Sequence, residues 1–412
     1  MSRSVFVTIG ACASFVLLAV ACSSSNSDDP SSSSSSSGGS SGASSGGSTG
    51  GSRGASPSGD GGNAGSSSGG DAGAPAVQYI GRFDFSNVAM PKAGFPGSRA
   101  VARFDGTAAQ VTISQQNGSE GGPSWFNVVV DGVVGTPFSV TGASEVKDIA
   151  SGLAAGVHVV EVEKRNEGNT GAIVFENWAF PAGGQLLAPP ARPNRRIEFL
   201  SDSTIDGFGV EGSEPETCGG GAPVQFNNPR KSFSHLVTAG VAAEYFLLGI
   251  AGKGVAKNED NGDMVYFPAL YPRNLPEVAG NWDFSKWIAD AVVISLGGTD
   301  FGGTQAEPAA FQANYGGLVD TIRTKYPTAH IYMLIWSQIK DLGGGVNTRT
   351  ALKSALDNIK AARAGDAKLH VFQLTEAIYP TDETGCYEHA NVAGHQKTAT
   401  QFVTQLKADT GW

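Results

Sequence analysis

The chain has 412 residues and a formal net charge of −10, from 28 basic and 38 acidic side chains. Its length allows two or three domains. The acidic balance and the absence of any Lys/Arg run argue against nucleic-acid binding, which needs a concentrated basic surface. The four cysteines have no CxxC spacing and the histidines no paired ligand spacing, so we expect no metal site and no cofactor.

Residues 1–21 have the pattern of a signal peptide. Arg3 precedes an apolar run that ends in small residues directly before Cys22. This pattern resembles the bacterial lipoprotein signal, in which the cysteine is lipidated, although Ala19 stands where leucine is usual. We therefore expect lipidation at Cys22 and a location on the membrane of the bacterial cell envelope or surface. The alternative is an ordinary secretory signal and a secreted protein.

Residues 22–76 are predicted to be a disordered tether rich in serine and glycine. From Ser23 to Pro75 the sequence has no valine, isoleucine, leucine, methionine or aromatic residue, so it cannot form a core. A flexible chain of this length has a typical reach of roughly 40 Å. It would hold a folded body clear of a membrane surface.

Residues 77–192 are predicted to form a small antiparallel β-sandwich. Apolar and polar residues alternate in short runs such as Phe126–Val130 and His158–Val162. Turn signals separate the runs, for example Asp105-Gly106 and Asp131-Gly132. Short strands without helical segments between them are typical of a two-sheet sandwich.

Residues 193–412 are predicted to form an α/β domain. Its apolar strand-like runs are Ile197–Leu200, Tyr245–Ile250, Ala291–Leu296, His330–Trp336 and Leu369–Leu374. Helical periods follow at Phe233–Ala243, Ala309–Lys325, Thr348–Ala364 and Ala393–Lys407. Alternation of nearly continuous apolar strands with helices indicates a parallel sheet covered on both faces.

Polar and glycine residues follow several of these strands. Ser203 follows the first strand, Gly252 the second, Thr299 and Asp300 the third, and His389 the fifth. Ligands of open α/β sheets bind at the carboxyl ends of the strands, so we expect these residues at one rim. They suit nucleophilic catalysis: a serine, a histidine as base, and backbone N–H groups for the oxyanion.

These segments resemble the conserved blocks of the SGNH (GDSL-type) hydrolases, and the wider chain resembles carbohydrate esterase family 2. The matching segments are Gly81–Asp84, Phe95–Ser98, Val130–Gly132, Lys164–Glu167, Arg196–Leu200, Gly207–Gly212, Leu270–Arg273, Trp282–Trp287 and His389–Gln396. The resemblance implies a flavodoxin-like hydrolase behind a jelly-roll sandwich. It also implies removal of O-acetyl groups from xylan- or glucomannan-type polysaccharides or oligosaccharides. Ser203 would carry the acyl group, His389 would be the base, and Ser203, Gly252 and Thr299 would form the oxyanion hole.

Three family positions differ in this chain. Ser201 replaces a glycine, Thr299 replaces the asparagine that usually donates to the oxyanion, and Tyr387 replaces the triad aspartate two residues before His389. Without that carboxylate, we predict a Ser–His dyad, an arrangement that some members of this superfamily combine with a backbone carbonyl.

Four further residues are assigned supporting or binding roles. Asp202 is expected to be a hydrogen-bonding residue of the nucleophile turn, and Asp300 to order the loop beside it. Trp282 and Trp287 are expected either in the core or lining the acyl pocket or a sugar subsite, because aromatic faces suit pyranose rings.

Cys218 and Cys386 are the cysteines left in the mature body, so outside the cytoplasm we expect a disulfide, with two free thiols as the alternative. We also expect a monomer. Two other functions remain open from the sequence. One is an esterase for other short acyl groups, and the other is a degenerate hydrolase that only binds glycans, as the replacements at Thr299 and Tyr387 suggest.

Overall fold

The computed structural model describes residues 76–412, apart from residues 120, 214–217, 219–223, 261, 303–304, 342–346 and 377–382. The predicted signal peptide, Cys22 and nearly all of the predicted tether lie outside the described residues. None of the helices within them combines the length and apolar character that a membrane crossing requires.

Residues 76–192 form two antiparallel sheets, as the alternating pattern predicts. The strands are β1 (Gln78–Ile80), β2 (Phe83–Asp84), β3 (Lys92–Ala93), β4 (Arg99–Gly106), β5 (Ala109–Asn117), β6 (Ser124–Val130), β7 (Val133–Val134), β8 (Phe138–Val140), β9 (Glu145–Ala150), β10 (Gly156–Lys164), β11 (Gly171–Ala179) and β12 (Gln185–Leu186). One sheet has the order β1-β4-β10-β6-β7, with β12 beside β4 and β8 beside β6; the other has the order β2-β3-β11-β5-β9. Apolar side chains from both sheets, such as Phe104, Phe126 and Ile113, form one buried core.

The remaining residues form the predicted parallel sheet. Its strands are β13 (Arg195–Ser201), β14 (Ala243–Gly249), β15 (Ala291–Ser295), β16 (His330–Ile335) and β17 (Leu369–Gln373). They lie in the order β14-β13-β15-β16-β17, so the first strand in sequence is second in space. This is the flavodoxin-like order, and it brings the carboxyl ends of all five strands to one rim.

Helices cover both faces of this sheet. They are α1 (Phe233–Val241), α2 (Phe267–Leu270), α3 (Gly298–Phe301), α4 (Pro308–Lys325), α5 (Thr348–Ala361) and α6 (Val392–Thr410). Phe233 of α1 and Phe402 of α6 pack on one face, and Phe311 of α4 and Leu352 of α5 on the other. Helix α1 ends two residues earlier than predicted, because Ala242 adopts a left-handed conformation and Ala243 already begins β14.

The sandwich and the α/β domain meet through buried charged side chains. Arg82 of the sandwich pairs with Glu198 of β13 at 2.8 Å, and both are almost completely buried. Glu163 of β10 accepts a hydrogen bond from the Tyr245 hydroxyl of β14 at 2.8 Å. Removing one partner of a buried ion pair leaves an uncompensated charge, which typically costs about 3–5 kcal/mol. These contacts therefore hold the sandwich against the α/β domain.

Candidate active site

The nucleophile turn begins where β13 ends. Asp202 is buried, and one of its carboxylate oxygens accepts the N–H of Thr204 at 3.0 Å. The Ser201 hydroxyl accepts the N–H of Ile205 at 3.2 Å. These bonds fold the chain back on itself and present Ser203 half-buried at the rim. Burial raises the pKa of Asp202 to about 6.

Ser203 and His389 form the predicted contact across the rim. Ser203 Oγ lies 2.7 Å from His389 Nε2, and His389 Nδ1 lies 2.9 Å from the carbonyl oxygen of Tyr387. A carbonyl oxygen can only accept, so Nδ1 carries the proton and Nε2 is left to accept from the serine hydroxyl. Tyr387 has φ +51°, a left-handed conformation that turns its carbonyl toward the ring. The backbone carbonyl thus occupies the place of a triad carboxylate.

Two backbone donors are available for an oxyanion. Among the hydrogen bonds of the described residues, none engages the N–H of Ser203 or of Gly252. Gly252 has φ +67°, which favours glycine, and a Cβ there would lie 3.0 Å from a carboxylate oxygen of Glu259. Free N–H groups at such a turn are the donors that a tetrahedral oxyanion requires.

The third predicted oxyanion donor has another partner. The Thr299 hydroxyl donates to Asp202 Oδ2 at 3.3 Å, so this side chain supports the nucleophile turn instead. Its neighbour Asp300 is completely buried. The Asp300 carboxylate accepts the backbone N–H groups of the loop that follows Gly252, at 2.7–3.1 Å, namely those of Val255, Ala256 and Lys257. Asp300 therefore fixes the loop that carries the Gly252 donor.

A cleft of about 300 Å³ opens beside His389. Thr204, Trp336, Ile339 and Tyr387 are among the residues that line it. The centroid of the Phe208 ring lies 4.7 Å from the centroid of the His389 ring, so Phe208 packs beside the imidazole. The sequence analysis did not select Phe208 or Trp336 as site residues. Trp336 directly follows β16, and residues at the carboxyl ends of parallel strands are candidates for the site.

Trp282 and Trp287, expected either in the core or lining substrate, both pack against Phe246. Trp287 is 2% exposed, stacks on Phe246 at 3.9 Å and donates its indole N–H to Glu244 at 2.6 Å. Trp282 is half-buried, with its ring 5.8 Å from that of Phe246 and 5.7 Å from the Arg82 guanidinium. Trp287 therefore takes the core position that was one of the two expected alternatives, and Trp282 packs beside it near the contact with the sandwich.

A disulfide bond joins Cys218 to Cys386. Cys386 directly precedes Tyr387, and its N–H donates to the carbonyl of Gly209 at 3.1 Å. The His389 loop is therefore attached, covalently and by a hydrogen bond, to the segment that follows the nucleophile turn.

Gln338 braces the other side of the His389 loop. Its amide oxygen accepts the N–H of Ala390 at 3.1 Å and the Trp336 indole N–H at 2.9 Å, and its amide nitrogen donates to the carbonyl of Glu388. One side chain thus holds the residues on both sides of His389.

Replacing Gln338 with alanine should lower kcat by about tenfold with little change in KM. A lost hydrogen bond that leaves buried groups unsatisfied costs about 1–3 kcal/mol, and here the cost falls on the placement of the imidazole. Steady-state kinetics with a chromogenic acetyl ester measure both constants. Gln401→Ala is the control, because Gln401 accepts from the N–H of Thr375, away from His389. Equal kcat values for Gln338→Ala and the parent would contradict the brace.

Comparison with known proteins identifies the family. Residues 79–190 match the family model described as carbohydrate esterase 2 N-terminal, and residues 202–397 match the GDSL-like lipase/acylhydrolase family. The chain is 32% identical over 340 residues to the cellulase/esterase CelE of Acetivibrio thermocellus, but spans only 40% of that protein's length. It is 23% identical to an acetylxylan esterase/glucomannan deacetylase of Cellvibrio japonicus, covering 82% of this chain and 90% of the relative.

Solved structures agree with this assignment. A family two carbohydrate esterase from Clostridium thermocellum, in complex with cellohexaose, is 31% identical and superposes with a TM-score of 0.74. The match covers 82% of this chain and all of that structure. The family models together cover the sandwich and most of the α/β domain. The chain belongs to carbohydrate esterase family 2, with an SGNH hydrolase domain behind the family's N-terminal sandwich.

Proposed function

We propose that the protein is a serine esterase that removes O-acetyl groups from xylan- or glucomannan-type polysaccharides or oligosaccharides. The observation that carries this proposal is the 2.7 Å contact between Ser203 Oγ and His389 Nε2, in a chain of this family. The unengaged N–H groups of Ser203 and Gly252 supply the remaining chemical requirement.

The geometry supports acyl transfer in two steps. Ser203 Oγ attacks the acetyl carbonyl carbon while His389 Nε2 takes its proton, and the two N–H groups stabilise the oxyanion. The imidazolium then protonates the departing sugar oxygen, which leaves acetyl-Ser203. Water, deprotonated by Nε2, attacks this ester, and the imidazolium returns its proton to Ser203 as acetate leaves. The Tyr387 carbonyl orients the ring throughout but carries no full charge, so it stabilises the imidazolium less than a carboxylate does.

The substrate class rests on the relatives and on the cleft. The Cellvibrio relative is named for acetylxylan and glucomannan, and the Clostridium structure holds cellohexaose. In this chain the cleft beside His389 is open, and the exposed aromatic ring of Tyr387 borders it, whereas Trp336 is buried. An open, aromatic-bordered cleft suits a glycan chain better than a long acyl chain.

Acetate release by the full chain tests this function. Acetylated xylan, acetylated glucomannan and a ladder of chromogenic esters from acetyl to octanoyl are the substrates. Acetate release from the glycans, together with a steep fall in kcat/KM beyond acetyl, supports the proposal. Preference for octanoyl would indicate a lipase-like esterase. Glycan binding without hydrolysis by the folded chain would indicate a degenerate binding protein.

The pH dependence should reflect His389. Burial lowers the pKa of the imidazole below its usual 6.5, and the Tyr387 carbonyl offsets this only in part. The base works in its neutral form, so kcat/KM should fall as the pH decreases through that lowered pKa. A kcat/KM profile from pH 4 to 7 with a chromogenic acetyl ester should therefore have its acid inflection below 6.5. An inflection above 6.5 would contradict this assignment.

We also propose that the protein is a monomer, anchored to the cell envelope by a lipid on Cys22 and held off the membrane by the Ser/Gly tether. The apolar run and small residues before Cys22 support this location. Mass spectrometry of the detergent-extracted protein should find an acylated N-terminal cysteine, and Cys22→Ala should shift the protein to the aqueous phase.

A further inference from the structure

A short turn of residues 207–209, here called the Phe208 turn, packs against the His389 loop. Gly207 and Gly209 have φ values of +93° and +58°, and Phe208 between them lies beside the imidazole. A Cβ on Gly209 would be only 2.6 Å from Cβ of Cys386, whose N–H donates to the Gly209 carbonyl at 3.1 Å. The turn therefore reaches the His389 loop through both the Phe208 ring and the Gly209 backbone.

Residues 227 and 228 hold the Phe208 turn from its other side. Asn227 Oδ1 accepts the N–H of Gly209 at 2.8 Å, and the Asn228 N–H donates to the carbonyl of Gly207 at 2.9 Å. A Cβ on Gly207 would lie 2.4 Å from the carbonyl oxygen of Asn228. Asn227 and Asn228 are 2% and 3% exposed. A shift of these two residues would therefore move the Phe208 turn with them.

Arg165 of the sandwich holds this asparagine segment in place. It lies in the loop between β10 and β11 and is 3% exposed. Its Nε donates to the carbonyl of Asn227 at 2.6 Å, its Nη2 donates to the carbonyl of Gln225 at 3.2 Å, and the same Nη2 pairs with the Glu211 carboxylate. The rigid fork of a guanidinium can hold several acceptors at once. A chain of contacts thus runs from the sandwich to the catalytic imidazole, and neither Arg165 nor Asn227 takes part in the mechanism above.

We propose that Arg165 and Asn227 are positioning residues, through which the sandwich holds the Phe208 turn and the His389 loop in their catalytic arrangement. Without either side chain, the turn relaxes away from His389, water reaches the imidazole, and Nε2 loses its alignment with Ser203 Oγ. The sandwich then acts on the chemical step itself. The inference rests on the proposed esterase function and adds a role for the sandwich in it.

Arg165→Met keeps an apolar stem and removes the fork. It should lower kcat about tenfold with KM little changed, because the imidazole and not the cleft is disturbed. Burial lowers the pKa of His389 in the parent, so entry of water should raise the acid inflection of kcat/KM toward 6.5. The titratable groups that face the imidazole, Glu259, Glu388 and His395, are unchanged in the variant. The measurement is kcat and KM for a chromogenic acetyl ester from pH 4 to 8.

Arg82→Met is the matched control. Arg82 is also a buried arginine of the sandwich, but it pairs with Glu198 and donates to the carbonyls of Tyr271 and Arg273 instead. Measured below its unfolding temperature, this variant should be less stable than the parent and keep the parental inflection. Parental kcat or a parental inflection in Arg165→Met would overturn the proposal. An equal shift of the inflection in Arg82→Met would also overturn it, since any loosening of the sandwich would then suffice.

Asn227→Ala and Asn227→Asp test the same contacts within the α/β domain, and decide the question if Arg165→Met does not fold. Alanine removes the acceptor of the Gly209 N–H, so kcat should fall and the acid inflection should rise. Aspartate keeps an acceptor oxygen at that place, so its kcat and inflection should lie closer to those of the parent. A parental inflection in Asn227→Ala, or equal profiles for the two variants, would overturn the proposal.

The rate at which a fluorophosphonate probe labels Ser203 gives a second readout that needs no acetyl ester turnover. Labelling also needs the neutral imidazole, so its acid inflection should be higher in Arg165→Met than in the parent. If the parent labels but releases no acetate, the esterase proposal fails, and the labelling profiles alone decide the role of Arg165. Identical labelling profiles in the two proteins would overturn that role.

Discussion

Alanine at Ser203, at His389 or at both should lower kcat for acetyl ester hydrolysis by similar factors, on the order of 10⁴-fold or more. The nucleophile is useless without the base that takes its proton, and the base has nothing to activate without the nucleophile. The 2.7 Å contact between Ser203 Oγ and His389 Nε2 makes them one functional unit. The activity that remains should come from the oxyanion donors and substrate binding.

The control for this experiment is His158→Ala, which removes an imidazole that pairs with Asp131 on the sandwich surface. It should leave kcat unchanged. Thermal unfolding of each variant shows whether the fold persists. A double variant much slower than either single variant would mean that the two residues act independently. A His389→Ala variant with parental kcat would mean that another base serves Ser203.

Most residues of the catalytic rim could be predicted from the sequence, because each one directly follows a predicted strand or its loop. Ser203, Gly252 and His389 each follow a strand, and parallel strands end at a common edge whatever their order. A backbone carbonyl as the acceptor for His389 could be anticipated, because the triad carboxylate is missing from the sequence. The left-handed conformation of Tyr387 could not be anticipated, because it depends on how the loop closes around the histidine.

Other features depend on contacts that no periodic pattern encodes. Trp282 and Trp287 lie in a segment with mixed exposure, and only the packed structure shows that Phe246 and Arg82 occupy their faces. The Thr299 hydroxyl could donate either to an oxyanion or to the Asp202 carboxylate, and the position of the nucleophile turn decides between these two acceptors.

Asp300→Ala should lower kcat by about 10²–10³-fold, the usual effect of losing one oxyanion donor. Asp300 does not touch substrate in the proposed mechanism, and acts by holding the loop after Gly252 through the N–H groups of residues 255–257. Without the carboxylate, the buried N–H of Val255 and the half-buried N–H groups of Ala256 and Lys257 lose their acceptor and the loop relaxes, so the Gly252 N–H no longer points at the oxyanion. Each unsatisfied donor also costs about 1–3 kcal/mol, so the free energy of unfolding should fall as well.

Asp300→Asn separates positioning from stability, because the amide keeps one acceptor oxygen for the loop and puts an NH₂ group where Oδ2 met the Val255 N–H. Its kcat should lie between those of the parent and Asp300→Ala, with KM close to the parental value. Asp283→Ala is the control, since Asp283 also accepts a backbone N–H, that of Ser285, but at an exposed turn. It should leave kcat unchanged. If Asp300→Ala kept parental kcat while unfolding more easily, Asp300 would support only the fold, and the Gly252 donor would owe its position to the glycine turn itself.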